Sequence, residues 1–254
     1  MNTEEYRRMH HAETRHWWYR ALHARVLHAC ERFAPRARTI LDVGCGTGGM
    51  LARLPAEIRA AGVDLAPEAV ARCRERGLPM ITRASADAIP FEATSADAVL
   101  LLDLLYHRNV LDPARVLHEV RRVLSPEGVA IINAPAYAWL RSSHDDAVHT
   151  GRRFTRRELI QLLEGAGFEV CYASYWNTIL FPPIALLRVL RRWYPPSGSD
   201  VSETGPAWAN TLLGVVLALE AAVMWRVPLP FGVSIFAVAR PARPPIQPVR
   251  VTET

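Results

Sequence analysis

Lysine is absent from these 254 residues: all 30 basic side chains are arginine, set against 25 acids for a net charge of +5. So mild an excess suits an anionic surface or an acidic partner without naming either. No basic run interleaved with aromatics occurs, so nucleic acid is not expected as a partner. Cysteine is scarce and scattered. Cys30, Cys45, Cys73 and Cys171 form no CxxC pair, which argues against zinc and disulfide frameworks and for reduced thiols. The first sixteen residues are charged and lack the apolar stretch of a signal peptide, so a cytoplasmic catalytic domain is expected. Internal repeats are missing as well, and the proline-rich end, 241–254, reads as a disordered tail.

What is present is an alternation of short apolar runs and helical segments. Residues 1–37 read as a helical cap closed by Pro35. Thr39 to Val43 and Ala61 to Leu65 read as strands, with a helix through Leu54 between them. Pro67 opens a helix that Gly77 closes, and Met80 to Thr82 is a short third strand. Ala98 to Leu102 is a fourth strand. Asp112 and Pro113 start a helix, and Ser125 to Gly128 turn the chain into a fifth strand ending at Asn133. Thr155 and Glu158 have the spacing of a capping box, ahead of a sixth strand from Phe168 to Ser174. This pattern is α/β, a parallel sheet with helices on both faces.

Asp42-Val43-Gly44-Cys45-Gly46-Thr47-Gly48-Gly49 lies where the first strand ends. Glycines let a ligand approach the backbone closely, and the same letters satisfy a dinucleotide fingerprint. Asp42 suits the ammonium group of a bound amino acid better than a pyrophosphate. Asp64, ending the second strand, suits two ribose hydroxyls, and Asp87 suits an adenine amine. Asp64 serves a nicotinamide cofactor equally well, so Asp42 and Asp87 carry the discrimination. An NAD(P)-dependent oxidoreductase using this turn is one alternative; a glycine turn among solvated acids is another.

Ile40 to Met50, Gly62 to Leu65 and Ala86 to Phe91 together resemble successive motifs of class I S-adenosylmethionine (SAM)-dependent methyltransferases. Ser95 to His107 and Leu117 to Asn133 resemble the segments that follow, so the likeness runs over roughly residues 38–175. The resemblance implies a Rossmann-like, mostly parallel seven-stranded sheet of order 3-2-1-4-5-7-6, within a SAM-binding domain spanning 38–240. Strand seven, Gly232 to Ala239, would be antiparallel. It implies SAM as cofactor, held by Asp42, Gly44, Gly46, Gly48, Asp64 and Asp87, with Cys45, Leu65, Ala88 and Leu102 alongside. His16-Trp17-Trp18, and the run from Pro135 through His149 to Thr155, resemble a bacterial subgroup that carries Tyr at the place of Phe154 and Glu at the place of Tyr106.

Methyl transfer is an in-line displacement that chiefly needs alignment in a dry pocket, and an oxygen acceptor gains from a general base. His107 is the leading base and His144 the reserve, although a histidine that only lines the site fits the same position. Asp103 either orients a ligand or caps the next helix. His144, Asp145 and His149 share a loop, but no metal is expected there. Trp18, Tyr106, Tyr137, His149 and Arg153 are the acceptor-binding candidates. Packing aromatics and a solvated basic loop are the plainer readings of that set. A non-catalytic SAM-binding protein remains an alternative.

Residues 180–231, between strands six and seven, are unusually apolar. Ile184 to Tyr194 reads as a basic amphipathic helix, and Ala207 to Val227 is nearly continuous apolar sequence, broken by Asn210 and Glu220. The second segment is long enough to span a bilayer, but one crossing would part strand seven from its sheet. Peripheral membrane contact and a soluble cap over the acceptor pocket fit equally. Either makes a small or lipid-linked acceptor the expectation; the oligomeric state is left open.

Overall fold

Successive side chains of a strand fall on opposite faces, and in Thr39–Val43 (β1) Ile40, Leu41, Asp42 and Val43 are all buried. A strand buried on both faces belongs inside a sheet. In the computed structural model, which describes residues 3–142, 145–146, 148–193 and 206–243, β1 lies third of seven strands. The others are Arg59–Asp64 (β2), Ile81–Arg83 (β3), Ala96–Leu102 (β4), Leu124–Pro135 (β5), Phe168–Trp176 (β6) and Ser234–Pro241 (β7). Their order is β3-β2-β1-β4-β5-β7-β6, and β7 runs antiparallel to both of its neighbours. Ser125 to Gly128 loop out of β5, because Leu124 pairs with Ala96 and Val129 with Ala98.

Two helices open the chain, Thr3–Ala12 (α1) and Trp17–Phe33 (α2). Pro67–Glu75 (α3) follows β2, and Pro113–Val123 (α4) starts where the Asp112 side chain accepts from Ala114 N. Arg156–Gly165 (α5) has the full capping box of Thr155 and Glu158. Leu22 and Val26 of α2 cover one face of the sheet; Leu117 and Val120 of α4 with Leu159 and Leu163 of α5 cover the other. The helix expected through Leu54 is only a single 3-10 turn, Leu51–Arg53. Pro55 forces Leu54 into an extended backbone and stops it there. α1 packs over the glycine turn instead, close enough that a Cβ on Gly49 would run into the Glu13 carboxylate.

After β6 come Phe181–Trp193 (α6) and Ala207–Met224 (α7). α7 lies along α2, burying Leu217, Glu220 and Met224. Its two polar breaks face inward. Asn210 accepts from Trp17 N at 2.7 Å and donates to Arg15 O at 2.5 Å. Glu220 accepts from Asn177, Thr178 and Ile179 N at 2.5, 2.6 and 3.1 Å, with the buried Arg25 guanidinium 3.6 Å away. Gly232 then brings the chain against the Trp176 backbone, where a Cβ would collide with the carbonyl oxygen. The tail positions 244–254 lie outside the described residues.

Candidate active site

The parallel strands β1, β2 and β4 end at one edge of the sheet, where ligands of open α/β folds bind. A cleft of about 880 Å³ opens there. Asp42 is only 2% exposed, and its Oδ1 has no hydrogen-bond partner. Burial, with Glu13 and Asp64 nearby, pushes its carboxyl up to about 8. A buried acid in that condition calls for a cation, and the ammonium of an amino-acid moiety entering the cleft would supply one. Asp64 Oδ2 accepts from Gly46 N and Oδ1 from Ala66 N, both at 2.9 Å, which pins the glycine turn to β2. Each oxygen keeps a lone pair for a ligand hydroxyl. Burial raises this carboxyl, against those backbone donors. Asp87 stands exposed on the cleft edge, its carboxyl lowered by a 2.5 Å hydrogen bond from the Ser85 hydroxyl.

Gly46 takes φ +53°, and a Cβ there would lie 2.7 Å from Met9 Cε of α1. α1 therefore closes directly over the turn. Glu13 anchors it, accepting from the Thr47 hydroxyl and, at 2.8 Å, from Arg76 Nη2. Burial pushes Glu13 up to about 7 despite these partners.

Beyond the glycine turn the cleft wall changes character. Asp103 follows β4 at φ +58°, in the left-handed region where a non-glycine residue signals constraint. Asn133 Nδ2 donates to Asp103 Oδ2 at 3.0 Å, and Trp176 Nε1 donates to Asn133 Oδ1 at 2.8 Å. Burial pushes the Asp103 carboxyl up to about 7, opposed by Asn133 and Arg153. His107 also lines the cleft, and burial pulls it down to about 4. Its Nδ1 accepts from Asn109 N at 3.2 Å, which places the proton of the neutral ring on Nε2. Arg153 is committed to Asp145 through two hydrogen bonds of 2.8 and 3.0 Å and to Ala136 O at 3.0 Å. Burial works against ionisation of Asp145, and Arg153 outweighs it, holding that carboxyl low.

Residues 41–132 match the methyltransferase domain family. A protein of Mycolicibacterium smegmatis, described as a probable S-adenosylmethionine-dependent methyltransferase, is 32% identical over 167 residues, covering 63% of this chain and 62% of that one. A ubiquinone biosynthesis O-methyltransferase of Xanthomonas axonopodis pv. citri is 35% identical over 44% of this chain and 53% of its own. A dTDP-4-amino-2,3,4,6-tetradeoxy-D-glucose N,N-dimethyltransferase of Saccharopolyspora spinosa is 31% identical over 63% and 66%. Matches to the first such relatives span 56 to 62% of their lengths. A solved SAM-dependent methyltransferase of Thermotoga maritima shares the fold, with TM-score 0.57 at 19% identity over 94% of this chain and 95% of that one. The chain carries a class I methyltransferase domain. The cofactor of that family is SAM, and the orphaned Asp42 oxygen and the Asp64 carboxylate fit it.

Within this methyltransferase domain Asp42, Gly44, Cys45, Gly46, Asp64, Leu65, Asp87 and Leu102 come together on the cleft wall. Gly48 and Ala88 do not reach it; Gly48 faces Leu78 and Cys73 behind the turn. Trp18, Tyr106, Arg153 and His107 line the same cleft. Trp18 does so while stacked on Trp176, with ring centroids 5.7 Å apart. Tyr137 stacks on Tyr175 at 5.2 Å, away from the cleft, and His149 sits behind His107 at 5.8 Å. His144 lies outside the described residues. Asp103 caps no helix, because the next one after it begins at Pro113. Sequence reasoning missed Glu13, Thr47 and Arg76, and the Asp103–Asn133–Trp176 chain. Those partners are 29 to 63 positions apart and carry no local pattern.

Proposed function

We propose that the chain transfers a methyl group from SAM to a hydroxyl oxygen of a partly apolar acceptor, with Asp103 taking the acceptor's proton. The observation that supports this most is the Asp103 carboxylate on the cleft wall, oriented by Asn133 and, through it, by Trp176. SAM, when bound, supplies an electrophilic methyl on a positively charged sulfur. Asp42 pairs with the ammonium of its amino-acid part, Asp64 holds the ribose and Asp87 lies at the adenine end. A carboxyl near 7 suits a base working at neutral pH. His107 is the weaker choice, because its unprotonated nitrogen is already engaged by Asn109.

The carboxylate also supports oxygen over nitrogen as acceptor. An amine must arrive neutral, whereas a nearby anion stabilises its charged form. Trp17, Trp18, Ile184, Leu187 and Val233 line the same cleft and offer apolar surface to the rest of the acceptor. Ile184 and Leu187 belong to α6, so the insertion serves as a wall of the site.

The test follows S-adenosylhomocysteine release over alcohols, phenols and amines with short and long alkyl chains. Hydroxyl acceptors with an apolar tail should turn over best. Asp103→Asn should keep SAM affinity and lose roughly 10²- to 10⁴-fold in kcat, the span of general-base catalysis. Turnover confined to amines, or full activity in Asp103→Asn, would refute the proposal.

A further inference from the structure

A helix lying on a soluble domain normally buries its apolar side and shows polar groups to water. α7 buries Leu217 and Met224, yet it also turns its most polar side chains inward and shows a second apolar stripe to water. Asn210 and Glu220, the polar breaks of the segment, turn inward to Trp17, Arg15 and the start of the 177–179 segment. Trp208, Leu212, Val215, Leu219 and Val223 form its outer stripe, and each exposes half or more of its surface. Their spacing of three or four residues keeps them on one side over about 22 Å of helix. The same helix is the one among those described that is long and apolar enough to cross a membrane. It does not cross. β6 and β7, on either side of the insertion, are paired from Phe168–Pro241 to Trp176–Ser234, so the chain leaves and returns at one edge.

We infer that the outer face of α7, together with α6, docks on the surface of an anionic lipid bilayer, with α7 lying in the plane of the interface. Charge selects this occupant over a second copy of the chain. The sequence of α6 is basic and holds no acid, the exposed Arg226 follows α7, and the one acid in either helix, Glu220, is buried; Arg188 itself turns inward, donating to Leu140 O at 2.7 Å. A two-fold contact through this face would set arginine against arginine, whereas anionic headgroups complement it. An apolar stripe bordered by arginine and tryptophan is the composition of helices that lie in the headgroup region. The face is also continuous with the cleft: Leu187 lines the cleft and is partly exposed, and Leu186 and Leu190 lie beside it on the outside of α6. A membrane held there would let an amphiphilic acceptor pass along α6 without crossing water.

The inference stands without the acceptor reading, and its test needs no acceptor. The full chain is floated with phosphatidylcholine vesicles, with and without phosphatidylglycerol, at low salt. It should float with the anionic vesicles, and Leu212→Glu/Leu219→Glu should cut the bound fraction at least about tenfold with SAM affinity unchanged. Should that variant fail to fold, brominated lipid supplies a second readout, quenching wild-type tryptophan fluorescence more strongly than that of Trp208→Phe. Failure to float with either vesicle, equal flotation with both, or a dimer in solution that the double substitution dissociates would overturn the inference. SAM titration of the same samples separates loss of docking from loss of the enzymatic site.

Discussion

Glu13, Asp42 and Asp103 are all held above the ordinary carboxyl range by burial, and each answers to a different neighbour. Asp42 is buried with no hydrogen-bond partner on Oδ1, which pushes its carboxyl up to about 8, so it stays largely protonated at neutral pH. Pairing with an ammonium requires the charged form. SAM affinity should therefore rise about tenfold per pH unit toward pH 8 and fall again above it as the ligand's own ammonium, with a pKa of about 8, loses its proton, and Asp42→Asn should weaken binding and remove the rising limb. Titrations between pH 6 and 9 check this; a flat profile in the wild type would contradict it. The ligand-free fold has the opposite trend. Raised folded-state values mean that these groups contribute stability below about pH 4 that is lost as pH rises through about 8. That Asp42, Asp64 and Asp87 would share one cleft was legible because Asp42 and Asp64 lie at the ends of apolar strand runs and Asp87 follows the third. Asp103 was visible, but its role was not, because the side chains that orient it come from β5 and β6.

Among the elements, those with local start signals were readable. Asp112 before Pro113 and Thr155 before Glu158 bond as their spacing indicates. The failed helix after the glycine turn shows the limit, since α1 occupies its place and nothing local to Gly49 announces Glu13. In α7 the polar residues were visible in the sequence, but which way they point depends on α2 and on the end of β6. This orientation gives unequal stability effects. Thr155→Ala removes one cap and should cost about 1 kcal/mol. Glu220→Ala strips three backbone N–H groups of their acceptor and leaves Arg25 buried without its acid, and should cost about 3–5 kcal/mol. Urea unfolding of the two variants distinguishes these; equal small losses would mean that Glu220 does not anchor α7.

For the whole molecule, the strand order came from the resemblance to class I methyltransferases, while hydropathy alone yielded only an α/β alternation. The sheet places Asp42, Asp64, the constrained Asp103 and residues of the apolar insertion around one cleft, so the proposed cofactor, acceptor and membrane contacts would all be reached from neighbouring elements. By the reading proposed above, this cleft holds SAM and carries out methyl transfer. The most direct measurement is calorimetric titration of the wild type and Asp42→Asn with SAM, S-adenosylhomocysteine and NADH. The predicted result is binding of the two sulfur ligands, no binding of NADH, and roughly thirtyfold to several-thousandfold weaker SAM binding in the variant, in keeping with loss of one partner of a buried charge pair. Binding of NADH alone, or SAM binding indifferent to Asp42, would contradict it.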